Sequence, residues 1–240
     1  LLELDRRSFL RVSAALSGGV LFSAQPFGWT LGGGRAEAQT LADILSATAG
    51  AKKGLFGSVE IASKSFKALP QWARVLQSME KELPRFRRCA ADPGSCNSPP
   101  LKAWAEVLSS AKGLPRREQL HMVNKFFNRW PYKLDPELYG VSEYWASPTE
   151  FMRRSGDCED YSIAKFFVLR ELGFKSEELR IVILLDRIRN IGHAVLAYYA
   201  GAEILILDSL SDVILPHHKY RHYIPQYSMN ETTRWAHVPG

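Results

Sequence analysis

The chain has 240 residues, 46% of them hydrophobic and 23% charged, with a formal net charge of +6. This is the composition of an ordinary globular protein with ample material for one large domain or two small ones. The basic residues are scattered with no Lys/Arg run, which argues against a nucleic-acid partner and leaves a modestly basic, solvated surface.

At the N-terminus, Asp5-Arg6-Arg7-Ser8-Phe9-Leu10-Arg11 precedes a mildly apolar run from Val12 to Phe22. Ala36-Glu37-Ala38 supplies small residues at the positions a signal peptidase reads, leaving Gln39 as the mature N-terminus. The twin arginine resembles a bacterial Tat export signal, so residues 1–38 are expected to direct export, against the alternative of an amphipathic helix with a chance Arg pair. The apolar run is too short and too Gly/Ser-broken to span a membrane. Residues 39–69 are polar, Gly-rich and weakly periodic, and are expected to form an N-terminal arm or linker.

The domain proper is expected over residues 70–240, beginning with helices. Gln71 to Leu83 carries Trp72, Val75, Leu76 and Met79 at helical spacing, with Pro84 as its stop. Cys89 and Cys96 flank a Pro-Gly turn; in an oxidising compartment this spacing suits a local disulfide, whereas a metal site would need ligands that do not stand nearby. Leu101 to Ala111 has one apolar stripe, and Pro115 opens a further helix with Leu120, Val123, Phe126, Phe127 and Trp130 on its core face. Trp130, Tyr132, Tyr139, Tyr144 and Trp145 read as packing, some of them lining the space beside Cys158. Ser147-Pro148-Thr149-Glu150 reads as an N-cap leading towards that cysteine.

Ser155-Gly156-Asp157-Cys158-Glu159-Asp160-Tyr161 then places a cysteine on the first turn of a helix whose apolar positions include Ile163, Phe166, Phe167 and Leu169. The free N–H groups and positive dipole end of a helix start favour a thiolate, although Cys158 could equally be a small buried hydrophobe. If Cys89 and Cys96 are paired, Cys158 is the single free thiol.

Three strands follow: Arg180 to Asp186, His193 to Tyr199, and Glu203 to Asp208, the last two separated by Ala200-Gly201-Ala202 as an antiparallel hairpin. With Ala200 and Gly201 as the turn, His193 stands directly opposite Asp208, their Cβ atoms about 4.5–5.5 Å apart. A surface His–Asp pair is the simpler reading. Together with Cys158, however, the pair supplies a nucleophile, a base to share its proton and an acid to orient the imidazole. The fold class expected is α+β, papain- or transglutaminase-like: a helical N-terminal half, with the cysteine on a central helix packed on an antiparallel sheet. His217, His218 and His222 lack surrounding ligands and read as solvated or structural.

The Ser155–Tyr161 segment, Gly192-His193-Ala194-Val195-Leu196 and Leu207-Asp208-Ser209 together resemble the bacterial transglutaminase-like cysteine proteinases. The similarity extends through Phe127-Asn128, Tyr139 to Trp145, and Arg221 to Asn230, covering roughly residues 70–235. The resemblance implies a periplasmic cysteine endopeptidase with Cys158 as nucleophile, His193 as general base and Asp208 as orienting acid. It implies calcium bound by Asp157 and Glu159, with Asp160 a weaker third ligand. It also implies a protein substrate of the large surface-adhesin kind, and an interaction with the periplasmic domain of an inner-membrane cyclic-di-GMP receptor. Clustered carboxylates suit calcium, but acids at a helix start also stabilise its dipole without a metal. Three acids around a thiol raise its pKa, which a bound cation would offset. Two other readings stand beside the protease: acyl transfer to an amine by the same three residues, and a non-catalytic periplasmic peptide-binding protein.

Overall fold

The structure is a computed structural model and describes residues 54–240, so the expected export signal lies outside the described residues. Seven strands form one sheet in the order β1-β7-β6-β2-β3-β4-β5, with every neighbouring pair antiparallel. They are β1 (Ser58–Ser63), β2 (Leu179–Asp186), β3 (Ile191–Ala200), β4 (Glu203–Asp208), β5 (Ser211–Pro216), β6 (Tyr223–Met229) and β7 (Arg234–Pro239). Six helices precede β2: α1 (Pro70–Ala91), α2 (Pro99–Ala111), α3 (Arg116–Phe127), α4 (Asp135–Leu138), α5 (Pro148–Arg154) and α6 (Cys158–Glu171). This is the expected α+β arrangement. Among the described residues no helix is long and apolar enough to cross a membrane.

Helix α6 is the centre of the packing. Every residue from Cys158 to Leu169 is buried, as befits a helix surrounded by other elements. It lies on β2 and β3 on one side and against α2, α3 and α5 on the others. Ala194, Leu196 and Tyr198 of β3 join the α6 core, while Val195 and Ala197 face a second core capped by Leu55 and Tyr223. Burial on both faces explains why HAVLAYY reads as an uninterrupted apolar run.

Three boundaries depart from the sequence reading. First, α1 does not stop at Pro84 but continues to Ala91. Proline removes one helical hydrogen bond, yet Phe86 and Cys89 beyond it are buried, and Phe86 stacks on Trp104 with ring centroids 4.1 Å apart. Second, residues 58–63, within the expected arm, form an edge strand registered from Ser58↔Pro239 to Ser63↔Arg234. Third, the β3–β4 hairpin turns at Gly201-Ala202, with Ala200 paired to Glu203 and Leu196 to Leu207. Gly201 has φ +66° and Ala202 is not in the left-handed region, so glycine occupies the first central position, where a primed two-residue turn needs it. The register is therefore displaced by two residues from the one expected. A shift of two preserves which face each side chain points to, so His193 and Asp208 become diagonal rather than direct neighbours.

Candidate active site

Cys158 begins α6 after a loop held from two sides. Ser155 ends α5 with φ +73°, an uncommon conformation for a residue with a side chain. Gly156 forms an isolated bridge with Tyr132 and accepts from the Lys133 N–H at 2.9 Å. A methyl group on Gly156 would lie 2.0 Å from Asp160 Oδ2, so glycine is required by the close approach of that carboxylate. Helix α5 enters through the expected capping box: Ser147 Oγ accepts from the Glu150 N–H at 3.3 Å, and Glu150 Oε2 accepts from the Ser147 N–H at 2.8 Å.

The Cys158 thiol donates to Glu159 Oε2 at 3.3 Å. Cys158 is the free cysteine of the chain's three, since the Cys89 and Cys96 sulfurs are within bonding distance, with Cα atoms 4.8 Å apart. Burial, then the charges of Glu159 and Asp157, push the Cys158 thiol well above its ordinary pKa. These effects outweigh the helix start that favours a thiolate.

His193 Nε2 and Asp208 Oδ1 are 2.9 Å apart, both side chains almost fully buried. Asp208 Oδ1 also accepts from the Leu210 N–H at 3.0 Å, and Oδ2 accepts from the Tyr223 hydroxyl at 2.7 Å. Burial would raise the Asp208 pKa, but the hydrogen bonds led by that of His193 hold it below the usual carboxylate range. Asp208 engages the Nε2 nitrogen of the ring, whereas the thiol of Cys158 bonds Glu159. Tyr223 escaped the sequence reading because it comes from β6, whose partner β2 is far away in the chain.

The acids around Cys158 form two overlapping groups: Asp157 and Glu159 with the thiol, and Asp157 and Asp160 with Asp135 of α4, the ligand atoms of each set lying within 4.8 Å of one another. Asp160 is held by the N–H groups of Ala146 at 2.6 Å and Asp157 at 3.2 Å. Asp135 Oδ1 and Asp157 Oδ1 are buried with no hydrogen-bond partner. Burial and then the Asp157 charge raise Asp135 to about 7; burial and then Glu159 raise Asp157 to about 10; Glu159 rises to about 7 through burial and the nearby Asp160. Orphaned, crowded, oxygen-only donors fit a hard divalent cation of the calcium type. Asp135 was not legible in the sequence, where no motif marks it.

The expected aromatic lining is present in part. Tyr132 is half exposed, stacks on Tyr161 with centroids 6.2 Å apart, and reaches Cys158. His217 accepts the Phe56 N–H through Nδ1 at 2.9 Å, and His222 packs on Tyr223, roles in keeping with structural histidines.

Residues 85–240 match the family model for the bacterial transglutaminase-like cysteine proteinases. Among solved structures, Legionella pneumophila LapG is similar with a TM-score of 0.55 and 34% identity, over 63% of this chain and 87% of that one. Its calcium-bound form is similar at 36% identity and TM-score 0.55, over 63% of this chain and 85% of that one. An EGTA-treated form matches at 34% identity and TM-score 0.55, with 63% and 84% covered. No curated protein sequence matched.

Proposed function

The chain belongs to the bacterial transglutaminase-like cysteine proteinases and is a cysteine peptidase, and from that premise we propose that Cys158, His193 and Asp208 carry out its chemistry as an endopeptidase. The observation that carries the reading is the buried 2.9 Å bond between His193 and Asp208, with His193 on β3, the strand against which the helix bearing the free thiol packs. His193 takes the Cys158 proton as the sulfur attacks a peptide carbonyl carbon, and the carbonyl electron pair moves to oxygen. Collapse of that adduct breaks the C–N bond, the imidazolium returns the proton to the departing amine, and a thioester remains. Water, deprotonated by His193, then releases the acid and restores the thiol. Asp208 fixes the tautomer and orientation of the ring and stabilises its cationic form.

Asp135, Asp157, Asp160 and Glu159 would hold calcium, with Asp157 and Glu159 flanking the nucleophile. The ion supplies positive charge where like charges crowd, offsetting the repulsion that raises the thiol. Support comes from the two orphaned carboxylate oxygens and from the calcium-bound form of the similar LapG. The family resemblance makes a large surface adhesin the substrate to try first and the periplasmic domain of an inner-membrane cyclic-di-GMP receptor the partner to try first. Export to the periplasm, by a Tat-type signal in residues 1–38, completes the reading. Cys158→Ala should abolish cleavage of such a substrate while leaving the thermal melt intact; cleavage retained by that variant overturns the assignment.

A further inference from the structure

Lys165 is the only lysine buried among the described residues. It stands seven residues after Cys158 on α6, two turns along and on the same side of the helix. Its Nζ donates to Asn128 Oδ1 at 2.7 Å, with the Tyr161 ring 5.8 Å away. Burial pushes the amine down to about 7, with Asp208 and Asp212 acting in the other direction. As an ammonium, the group has no acceptor and can only donate to the amide oxygen, which fixes the amide's orientation. The Asn128 nitrogen then faces the β4–β5 turn, where it donates to the carbonyls of Asp208 at 3.0 Å and Ser211 at 3.1 Å and to Asp212 Oδ1 at 3.0 Å.

That turn needs an external hold. The β3–β4 ladder ends at Leu196↔Leu207, short of both His193 and Asp208, and the β4–β5 register shifts between Ile206 and Asp208. Sheet hydrogen bonds therefore do not set the position of Asp208 relative to β3. Asn124, one turn earlier on α3, adds a bond to the Ser211 carbonyl at 2.9 Å, so the helix grips the turn at two points.

We propose that Lys165 and Asn128 are positioning residues: Lys165 orients the Asn128 amide, which clamps the β4–β5 turn and keeps the Asp208 carboxylate on His193. The clamp links the helix that bears Cys158 to the turn that bears Asp208, and it rests on the triad reading above.

The test uses the full chain with Asn128→Asp and Lys165→Met. Asn128→Asp keeps an acceptor for Lys165 but replaces the donors that face the turn; Lys165→Met keeps the length of the side chain without its charge. Two readouts are taken: the far-downfield proton resonance of the His193 Nε2–H bonded to Asp208, assigned by its loss in His193→Gln, and the alkylation rate of Cys158 by iodoacetamide. Both variants should retain a cooperative melt, shift or lose the resonance, and alkylate about tenfold more slowly. An unchanged resonance in a folded Asn128→Asp protein overturns the clamp, whether or not alkylation slows. If Lys165→Met does not fold, Asn128→Asp decides alone. Alkylation insensitive to His193→Gln is a failure of the triad reading instead, and the resonance still decides the clamp.

Discussion

Two carboxylate environments of the candidate site are built in opposite ways. Asp208 accepts three hydrogen bonds and its pKa is depressed. Asp135, Asp157 and Asp160 crowd one another, two of their oxygens have no partner, and their pKa values are raised. The first environment is complete from the chain's own groups and serves to hold an imidazole still. The second is incomplete, and only protons or an added cation relieve it. Orientation is thus supplied by the fold, whereas charge balance among the acids beside the nucleophile is not supplied by the chain's own groups.

The largest way to break this contrast is Asp208→Asn, which keeps the shape but lets the ring adopt the wrong tautomer. Peptide cleavage should fall about 10³–10⁴-fold, measured as kcat/KM; a loss smaller than tenfold would mean that Asp208 does not orient His193. In the proposed function calcium acts on the other environment. At about 100 times its Kd it should stabilise the protein by about 2.7 kcal/mol, read as a rise in Tm that EGTA reverses and Asp157→Asn removes. A Tm indifferent to calcium would leave the acid cluster without its cation.

A smaller effect is expected from Tyr223→Phe, which deletes one of the three bonds to Asp208. A bond to a charged group contributes about 1.5–3 kcal/mol, so activity should drop by roughly ten- to a hundredfold with the Cys158 thiol still present. The smallest effect separates the environments by pH. Without cation, the raised Asp135 and Glu159 keep protons that the unfolded chain releases near its ordinary pKa of about 4. Their contribution to stability is complete below that pH and is lost as pH rises towards about 7. Asp208 behaves inversely, contributing above the usual carboxylate range and losing that contribution as pH falls through its depressed value. The calcium-induced rise in Tm should therefore grow between pH 4.5 and 7.5; a rise independent of pH would place the ion elsewhere.

Much of this was legible in the chain, and the reasons differ by residue. Cys158 announces itself because a glycine turn, acids and a helix coincide within seven residues. The His193–Asp208 contact survived an incorrect turn because the error in register was two, which leaves every side chain on its own face. An error of one would have separated them. Asp135 was not legible because nothing local marks it, and only tertiary folding carries α4 to the start of α6. The span of α1 past Pro84 was misread because a local rule yielded to the burial of Phe86. Strand β1 was missed because Val59 and Ile61 alternate over too short a run, and their partner lies at the other end of the chain.

The pairing of β1 with β7 also sets an order of events. Ser58 Oγ and His237 Nδ1 meet at 2.7 Å although 179 residues separate them, and Ser228 Oγ binds the other ring nitrogen at 2.8 Å. During synthesis β1 emerges well before β7, its strand partner among the described residues. Until then the edge of β1 is unpaired and the apolar face that Leu55 covers is incomplete, a stretch of nascent chain open to wrong strand pairing.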